Sequence, residues 1–247
     1  MAKRFFNGLL RLAYWAVLRL KVEGRERIPA EGPVILMINH VHFLDPFVVL
    51  ASMPRPVTVL SKIENFSIPF WGWIFKWYGA IPVRRGQVDR RALRGALAAL
   101  KAGTLLIVAP EGTRSPNGTL QQALNGMAYL AHRGAATVVP LAITGQTAFG
   151  HNLKRLRRTP VRVQVGRPFR VQASGRRLER DVLHAVTTEA MHQLAALLPP
   201  EQRGAYADLD RATTRYLHFV DDGAPDRPDE GDSDGHRTPV AGAVRGG

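Results

Sequence analysis

Short apolar runs recur along the chain, and stretches with helical spacing separate them. The runs predict strands at residues 34–38, 57–60, 104–109, 137–143 and 161–165, of which the first four are apolar enough to be buried on both faces. Apolar positions that repeat with a helical period predict helices at residues 88–101, 119–133 and 177–198. This alternation predicts an α/β fold in which helices flank a mainly parallel sheet.

The N-terminal segment, residues 1–22, places apolar side chains at roughly helical spacing with basic residues among them. This pattern predicts an amphipathic helix that lies on the membrane surface, although a helix that covers the domain's own core would show it too. Because the sequence contains no run of about 18 uncharged apolar residues, we expect interfacial contact and no spanning helix. We expect the segment to be retained, since no small-residue cleavage site follows it.

A second segment, residues 66–78, concentrates tryptophan, phenylalanine and tyrosine. Aromatic side chains of this kind favour the boundary between hydrocarbon and water, so we expect a surface that faces the membrane or an acyl chain. A buried aromatic cluster or the wall of an apolar pocket is the alternative.

The remaining sequence predicts one catalytic domain, residues 23–205, followed by a C-terminal extension, residues 206–220. Residues 221–247 are rich in Gly, Pro and Asp and nearly free of large apolar side chains. Such a segment cannot bury enough surface to order itself, so the composition predicts a disordered tail.

Composition limits the chemistry only in part. The chain has a formal net charge of +14, which attracts nucleic acid, lipid headgroups and phosphorylated substrates without choosing among them. It has no cysteine, which excludes disulfides, thiolate metal ligands and a cysteine nucleophile.

His40 and Asp45 follow the strand predicted at residues 34–38. Asp45 and Pro46 have the signature of a helix N-cap followed by proline at the first helical position. A carboxylate five residues after an imidazole can hold it in one tautomer and make it a better base. The alternatives are a structural histidine with a simple capping aspartate, or a metal site that includes His42.

Residues 111–114, Glu-Gly-Thr-Arg, follow the strand predicted at 104–109 and should emerge at the same sheet edge as His40. Gly112 permits close approach of the backbone to a ligand, and Arg114 suits a phosphate. Farther upstream, Arg84 and Arg85 end the sequence GAIPVRRG, just after the aromatic segment, where they would meet a lipid phosphate. Each motif alone could be a solvated surface turn.

The motifs together resemble the four blocks of the glycerolipid acyltransferase family, in particular the 1-acyl-glycerol-3-phosphate (lysophosphatidic acid) acyltransferases. The H-x-x-x-x-D motif, GAIPVRRG, EGTR and the VVPLAI around Pro140 stand in the family's order and approximate spacing, over roughly residues 15–200. The segment with Lys62, Glu64, Pro69 and Gly72 also looks like the family's approach to its second block.

The resemblance implies an O-acyltransferase of phospholipid biosynthesis that uses acyl-CoA or acyl carrier protein as co-substrate, with no metal or other cofactor. The expected product is phosphatidic acid, and the expected partners are membrane lipids and the acyl donor, without nucleic acid. The expected location is the cytoplasmic face of the cell membrane, as a monotopic or peripheral protein. Another lysolipid or glycerol-3-phosphate as acceptor is the alternative.

The resemblance also implies roles for individual residues. His40 would be the general base and Asp45 would orient it, while Lys62 is a candidate oxyanion or phosphate contact. The implied phosphate-binding set is Arg84, Arg85, Glu111, Gly112, Thr113 and Arg114, with Glu111 shaping the pocket. Family members often have Asp at the position of Arg84, so the sequence leaves open which arginine contacts phosphate.

Two other functional classes stay open. A hydrolase would use water in place of the acceptor alcohol, although the sequence has no G-x-S-x-G motif. A non-catalytic basic protein would bind membrane or nucleic acid through its arginines, although no zinc-finger pattern or RNP-type motif occurs.

Overall fold

The computed structural model of the 247-residue chain describes residues 16–69, 71–173, 175 and 178–220. The strands are β1 (Leu18–Glu23), β2 (Val34–Ile38), β3 (Val57–Lys62), β4 (Ile81–Val83), β5 (Leu105–Val108), β6 (Thr137–Thr144), β7 (Thr159–Val165), β8 (Phe169–Val171) and β9 (Leu217–Phe219). The α-helices are α1 (Asp45–Ser52), α2 (Trp71–Tyr78), α3 (Arg90–Lys101), α4 (Gly126–Arg133), α5 (Phe149–Lys154) and α6 (Arg180–Ala195).

Within the described residues the strands form one sheet in the order β1-β7-β6-β2-β5-β3-β4, and β8 pairs with both β6 and β9. The five strands from β6 to β4 run parallel, whereas β7 and β8 are antiparallel to β6. The mainly parallel α/β sheet expected from the sequence is therefore confirmed. Because the parallel strands point the same way, the loops that follow β2, β3, β4, β5 and β6 meet at one edge.

The sheet buries both of its faces, as the side-chain alternation of β2 illustrates. Val34, Leu36 and Ile38 pack on the side of α1, whereas Ile35 and Met37 pack on the side of α3, α4 and α6. All five side chains are buried, and each contributes about 1.5–3 kcal/mol through removal of apolar surface from water. The core therefore holds the end of β2 rigidly.

The prediction that one helix extends through residue 22 is wrong from Leu18 onward, because Leu18–Glu23 is strand β1. Leu18, Leu20 and Val22 pack against the core on one side of β1, and β1 pairs with β7 in parallel. Pairing satisfies the backbone of β1 and buries alternate side chains, which a helix could not do here. Residues 1–15 of the expected membrane helix, and the expected tail 221–247, lie outside the described residues.

Strand β3 is less buried than the sequence predicted. Only Val57 and Ser61 of β3 are fully buried, whereas β2 and β5 are buried throughout. Strand β3 lies near the edge of the sheet, where only the short strand β4 lies beyond it, so less of the protein covers its side chains.

The segment expected as a C-terminal extension, residues 206–220, packs on the domain. The buried Glu189 of α6 accepts hydrogen bonds from Oγ1 of Thr213 (2.7 Å) and from the backbone N–H groups of Arg215 and Tyr216 (both 2.9 Å). Strand β9 then pairs with β8. The Glu189 carboxylate therefore holds the segment before β9 against α6, and the β8–β9 pairing joins that segment to the sheet.

Candidate active site

The candidate site begins where β2 leaves the core. Asn39 is buried, its Nδ2 donates to the carbonyl of Ile143 (2.9 Å), and its Oδ1 accepts from the N–H of Ile143 (2.8 Å). The side chain therefore replaces a backbone partner between the ends of β2 and β6. This fixes the point at which His40 emerges.

The backbone of His40 is held by the loop after β5. Its N–H donates to Oε1 of Glu111 (3.2 Å), and its carbonyl accepts from the N–H of Ser115 (2.8 Å). The other oxygen of Glu111 accepts from the N–H of Gln121 (2.9 Å). Burial raises the pKa of the Glu111 carboxyl, and the two backbone N–H groups oppose that shift. The expected meeting of these two loops at one sheet edge is confirmed, and Glu111 holds them together.

The side chains of His40 and Asp45 are in direct contact, with Nδ1 of His40 3.0 Å from Oδ2 of Asp45. Asp45 is fully buried, and the same Oδ2 accepts from the N–H groups of Val41 (2.8 Å) and His42 (2.7 Å). The expectation that Asp45 is a helix N-cap is wrong. Asp45 is itself the first residue of α1, and its carboxylate turns back to the preceding loop, with Leu44 at the cap position.

His42 lies beside this contact. Its Nδ1 accepts from the N–H of Leu44 (3.4 Å), and its ring lies near those of Phe43 and Phe149, with centroids 4.5 and 6.1 Å away. Burial lowers the pKa of His42, Asp45 opposes this shift, and Arg114 adds to it. His42 therefore packs among aromatic rings, within electrostatic reach of Arg114.

The metal alternative would need His40, His42 and Asp45 to share an ion. Oδ2 of Asp45 already accepts three hydrogen bonds within the loop. Over the residues that the structure describes, no group of three or more His, Cys, Asp or Glu side chains has a metal-binding arrangement.

The two adjacent arginines lie in different electrostatic surroundings. Loss of solvation lowers the pKa of Arg85, the positive charge of Arg114 lowers it further, and Glu64 opposes both. The N–H of Arg84 donates to Oδ2 of Asp89 (3.0 Å), and this bond and the charge of Arg84 both lower the pKa of that carboxyl. Arg85 therefore lies within electrostatic reach of Arg114 and Glu64, whereas Arg84 is bonded through its backbone to the residue before α3.

The remaining predicted site residues lie in the loop after β5 and at the end of β3. Gly112 has a φ of +70°, and a Cβ there would lie 2.8 Å from Cδ1 of Leu124, so a glycine suits this turn. Thr113 is exposed. Nζ of Lys62, at the end of β3, lies 3.4 Å from Oε1 of Glu64.

The aromatic segment has both buried and exposed parts. Ile74 of α2 is buried, whereas Trp73 is 64% exposed and stacks on Trp77 with ring centroids 6.0 Å apart. Ile68, just before α2, is also exposed. In the described part of the chain, no helix is both long and apolar enough to cross a membrane.

Sequence reasoning missed Asn39, Ser115 and Gln121, which position the site without carrying its chemistry. Asn39 gave a usable signal, because a polar residue that ends an apolar strand must find partners inside the protein. Ser115 and Gln121 act through their backbone N–H groups, so their side chains gave no signal.

Comparison with known proteins gives consistent matches. Residues 19–144, just over half of the chain, match the family model described as Acyltransferase. The chain is 31% identical over 139 residues to the chloroplastic 1-acyl-sn-glycerol-3-phosphate acyltransferase of Arabidopsis thaliana, covering 54% of this chain and 38% of that protein. It is 34% identical over 142 residues to the lyso-ornithine lipid O-acyltransferase of Pseudomonas aeruginosa, covering 54% of each.

Among solved structures, the fold is similar to the 1-acyl-sn-glycerophosphate acyltransferase PlsC of Thermotoga maritima. The TM-score is 0.58 and the identity is 25%, over 78% of this chain and 77% of that one. The chain spans about half the length, or less, of the two curated relatives named above.

Proposed function

Because the chain belongs to the acyltransferase family, we propose that it transfers a fatty acyl group from a thioester to the sn-2 hydroxyl of 1-acyl-glycerol-3-phosphate, giving phosphatidic acid. The relatives named for this acceptor support the proposal. The observation that carries it is the contact of His40 Nδ1 with Asp45 Oδ2 (3.0 Å), in a site where Arg114 acts on both His42 and Arg85.

Nε2 of His40 is proposed as the base. Nδ1 lies within hydrogen-bond distance of Oδ2 of Asp45, and a carboxylate that accepts from Nδ1–H leaves the lone pair of Nε2 for the acceptor hydroxyl. In the proposed reaction Nε2 removes the proton of the acceptor hydroxyl while that oxygen attacks the thioester carbonyl. The negative charge of Asp45 stabilises the imidazolium that forms.

The second half of the reaction returns the proton. The tetrahedral intermediate collapses, the carbon–sulfur bond breaks, and the imidazolium gives its proton to the departing thiolate. No acyl-enzyme is needed, and the chain has no cysteine to form a thioester. Acyl-CoA and acyl carrier protein present the same thioester, so both serve as donors in the proposed chemistry.

The acceptor phosphate is proposed to bind between Arg85 and Arg114. Loss of solvation and then the like charge of Arg114 lower the pKa of Arg85, and an anion placed between the two arginines would relieve their repulsion. Arg84, which acts toward Asp89, is proposed to stay outside this contact. Gly112 and Thr113 would let the loop approach the phosphate, and Lys62 is a candidate contact for the oxyanion or phosphate.

Glu111 is proposed to position the site without touching phosphate. Both of its oxygens accept backbone hydrogen bonds, one of them from His40. A carboxylate would also repel the phosphate. Its loss should therefore displace His40 and Arg114 together.

We propose that the enzyme works at the cytoplasmic face of the membrane as a monotopic or peripheral protein. The exposed aromatic Trp73 and the apolar Ile68 support contact with a lipid surface. The acceptor lysolipid would then reach the site from the bilayer.

A lyso-ornithine lipid is a second candidate acceptor, favoured by the 34% identity to the Pseudomonas enzyme. Its ornithine headgroup carries a carboxylate and an amine in place of a phosphate, so two arginines suit the more highly charged phosphorylated acceptor better. Arg85→Ala should therefore lower the rate with 1-acyl-glycerol-3-phosphate more than any rate with the ornithine lipid.

The proposal is tested by product analysis of the purified chain with acyl-CoA, acyl carrier protein thioesters and a panel of lysolipids, using mass spectrometry. We expect phosphatidic acid from 1-acyl-glycerol-3-phosphate, and little free fatty acid when the acceptor is omitted. Free fatty acid with and without acceptor would identify a hydrolase instead. No product from any pair would leave the non-catalytic binding protein as the better description.

A further inference from the structure

The segment His151–Arg158, which spans most of α5 and the turn after it, combines exposed cations with exposed leucines. Lys154, Arg155 and Arg157 are exposed, Leu153 is 46% exposed and Leu156 is 95% exposed. The sequence contains no acidic residue between Glu111 and Glu179, so no neighbour along the chain neutralises these cations. The segment is therefore basic and apolar at the same surface.

Leu156 is held in this exposed position by its backbone. Its φ is +52°, in the left-handed region where a helix normally ends with glycine. The N–H of Leu156 donates to Leu153 (3.0 Å) and that of Arg157 donates to Asn152 (2.9 Å), which closes a defined turn. A strained turn that holds a leucine in water indicates that an apolar partner covers it during function.

The segment lies between the histidine loop and the start of β1. The ring of Phe149, which begins α5, lies 6.2 Å from that of the half-exposed Phe43 in the histidine loop. At the other end, the guanidinium of Arg158 donates to the carbonyl of Leu18 (Nη2 at 2.8 Å, Nε at 3.2 Å). Leu18 is the first residue of β1 and lies within residues 1–22, the segment whose sequence predicts an interfacial helix.

We propose that His151–Arg158 is a membrane-docking segment for anionic phospholipids. Lys154, Arg155 and Arg157 would bind the phosphates of the headgroups, and Leu153 and Leu156 would insert below them. The interleaving of leucine with cations favours a lipid surface over nucleic acid, which offers no apolar layer for Leu156. The proposal rests on the proposed function only in that both place the protein at a membrane.

The test measures co-sedimentation of the full chain with phosphatidylcholine vesicles that contain phosphatidylglycerol, and with pure phosphatidylcholine vesicles. The variant K154E/R155E/R157E should bind the anionic vesicles about 100-fold or more weakly, because each basic residue contributes about one factor of five. The matched control is R90E/R91E/R94E, which makes the same charge change on the exposed face of α3. It should weaken binding far less.

Insertion of Leu156 is tested by Leu156→Asn, because asparagine tolerates the left-handed backbone and keeps the turn. We expect about tenfold weaker binding, from the loss of apolar burial. Val88→Asn, at another exposed apolar residue, should bind as the original chain does. Thermal unfolding confirms that each variant is folded.

Several outcomes would overturn the proposal. Equal weakening by the two triple variants would mean that overall charge drives binding, and unchanged binding of Leu156→Asn would exclude insertion. If K154E/R155E/R157E lost binding to a short DNA duplex but still bound vesicles as the original chain does, the segment would be a nucleic-acid surface. His40→Ala should bind vesicles normally whether or not it is active, so the vesicle result is separate from the proposed chemistry.

Discussion

Replacing Asp45 with asparagine removes one negative charge while nearly keeping shape. Oδ2 of Asp45 lies 3.0 Å from Nδ1 of His40 in a fully buried position. A hydrogen bond to a charged group contributes about 1.5–3 kcal/mol. If that stabilisation is present when the imidazolium forms, its loss lowers kcat about 10- to 100-fold.

The same change should affect stability by a different route. The oxygen of an asparagine at position 45 can accept from the same three donors, but its amide nitrogen then occupies the place of Oδ1. In the described structure Oδ1 of Asp45 is buried and has no hydrogen-bond partner. A buried donor left there costs about 1–3 kcal/mol. We expect the free energy of unfolding to fall by that amount.

The assay measures initial rates at saturating donor and acceptor, together with denaturant unfolding. Asp181→Asn, at an exposed carboxylate in the first turn of α6, is the matched control: it should leave kcat unchanged and lower the free energy of unfolding by less than about 1 kcal/mol, through loss of its interaction with the helix dipole. Because Asp45 acts through His40, Asp45→Asn should add little to the defect of His40→Ala. A folded Asp45→Asn variant with the original kcat would show that the charge of Asp45 does not stabilise the imidazolium of His40 during the reaction.

Three further predictions concern the loops around the site. Arg85→Ala should raise KM for the phosphorylated acceptor about tenfold or more with little change in KM for the thioester, whereas Arg84→Ala should change neither, as steady-state kinetics will report. Gly112→Ala should lower the free energy of unfolding by about 1–2 kcal/mol, because the φ of Gly112 is +70°. Adding Leu124→Ala should not restore that stability, since the exposed Leu124 side chain can already move away from the new Cβ. The lowered pKa of His42 means that the unfolded chain binds more protons, so stability should fall as the pH drops below about 6.5, and His42→Phe should reduce that slope in unfolding curves measured across pH.

The buried strands were predictable because their apolar runs are continuous. The bounds of β2 match the prediction at residues 34–38, and the predicted run 104–109 contains β5. Strand β1 was not predicted, although Leu18, Leu20 and Val22 alternate with charged residues. That alternation is short and follows a longer stretch with helical spacing. The predicted helix was therefore extended to residue 22, although the chain becomes a strand at Leu18.

Helix α4 shows why tertiary contacts override a local pattern. The predicted helix began at residue 119, whereas α4 begins at Gly126. The N–H of Leu120 donates to Gln202, that of Gln121 to Glu111, and that of Leu124 to Pro110. These partners lie far away in sequence or across a turn, so the segment cannot also form helical hydrogen bonds.

The residues that carry the proposed chemistry were easier to predict than the residues that hold them in place. The expected contact between His40 and Asp45 is present, because five residues suffice for the loop to turn the carboxylate back. The function of Glu111 as a link between two loops depends on backbone N–H groups, which every residue but proline carries. No pattern of side chains along the sequence encodes that role.

The most direct test of the account is the rate of phosphatidic acid formation by His40→Ala, measured by mass spectrometry at saturating acyl-CoA and 1-acyl-glycerol-3-phosphate. We expect kcat to fall at least about 100-fold, with the free energy of unfolding unchanged, because general-base catalysis contributes about 10²–10⁴-fold. A folded His40→Ala variant that makes phosphatidic acid at the original rate would contradict it.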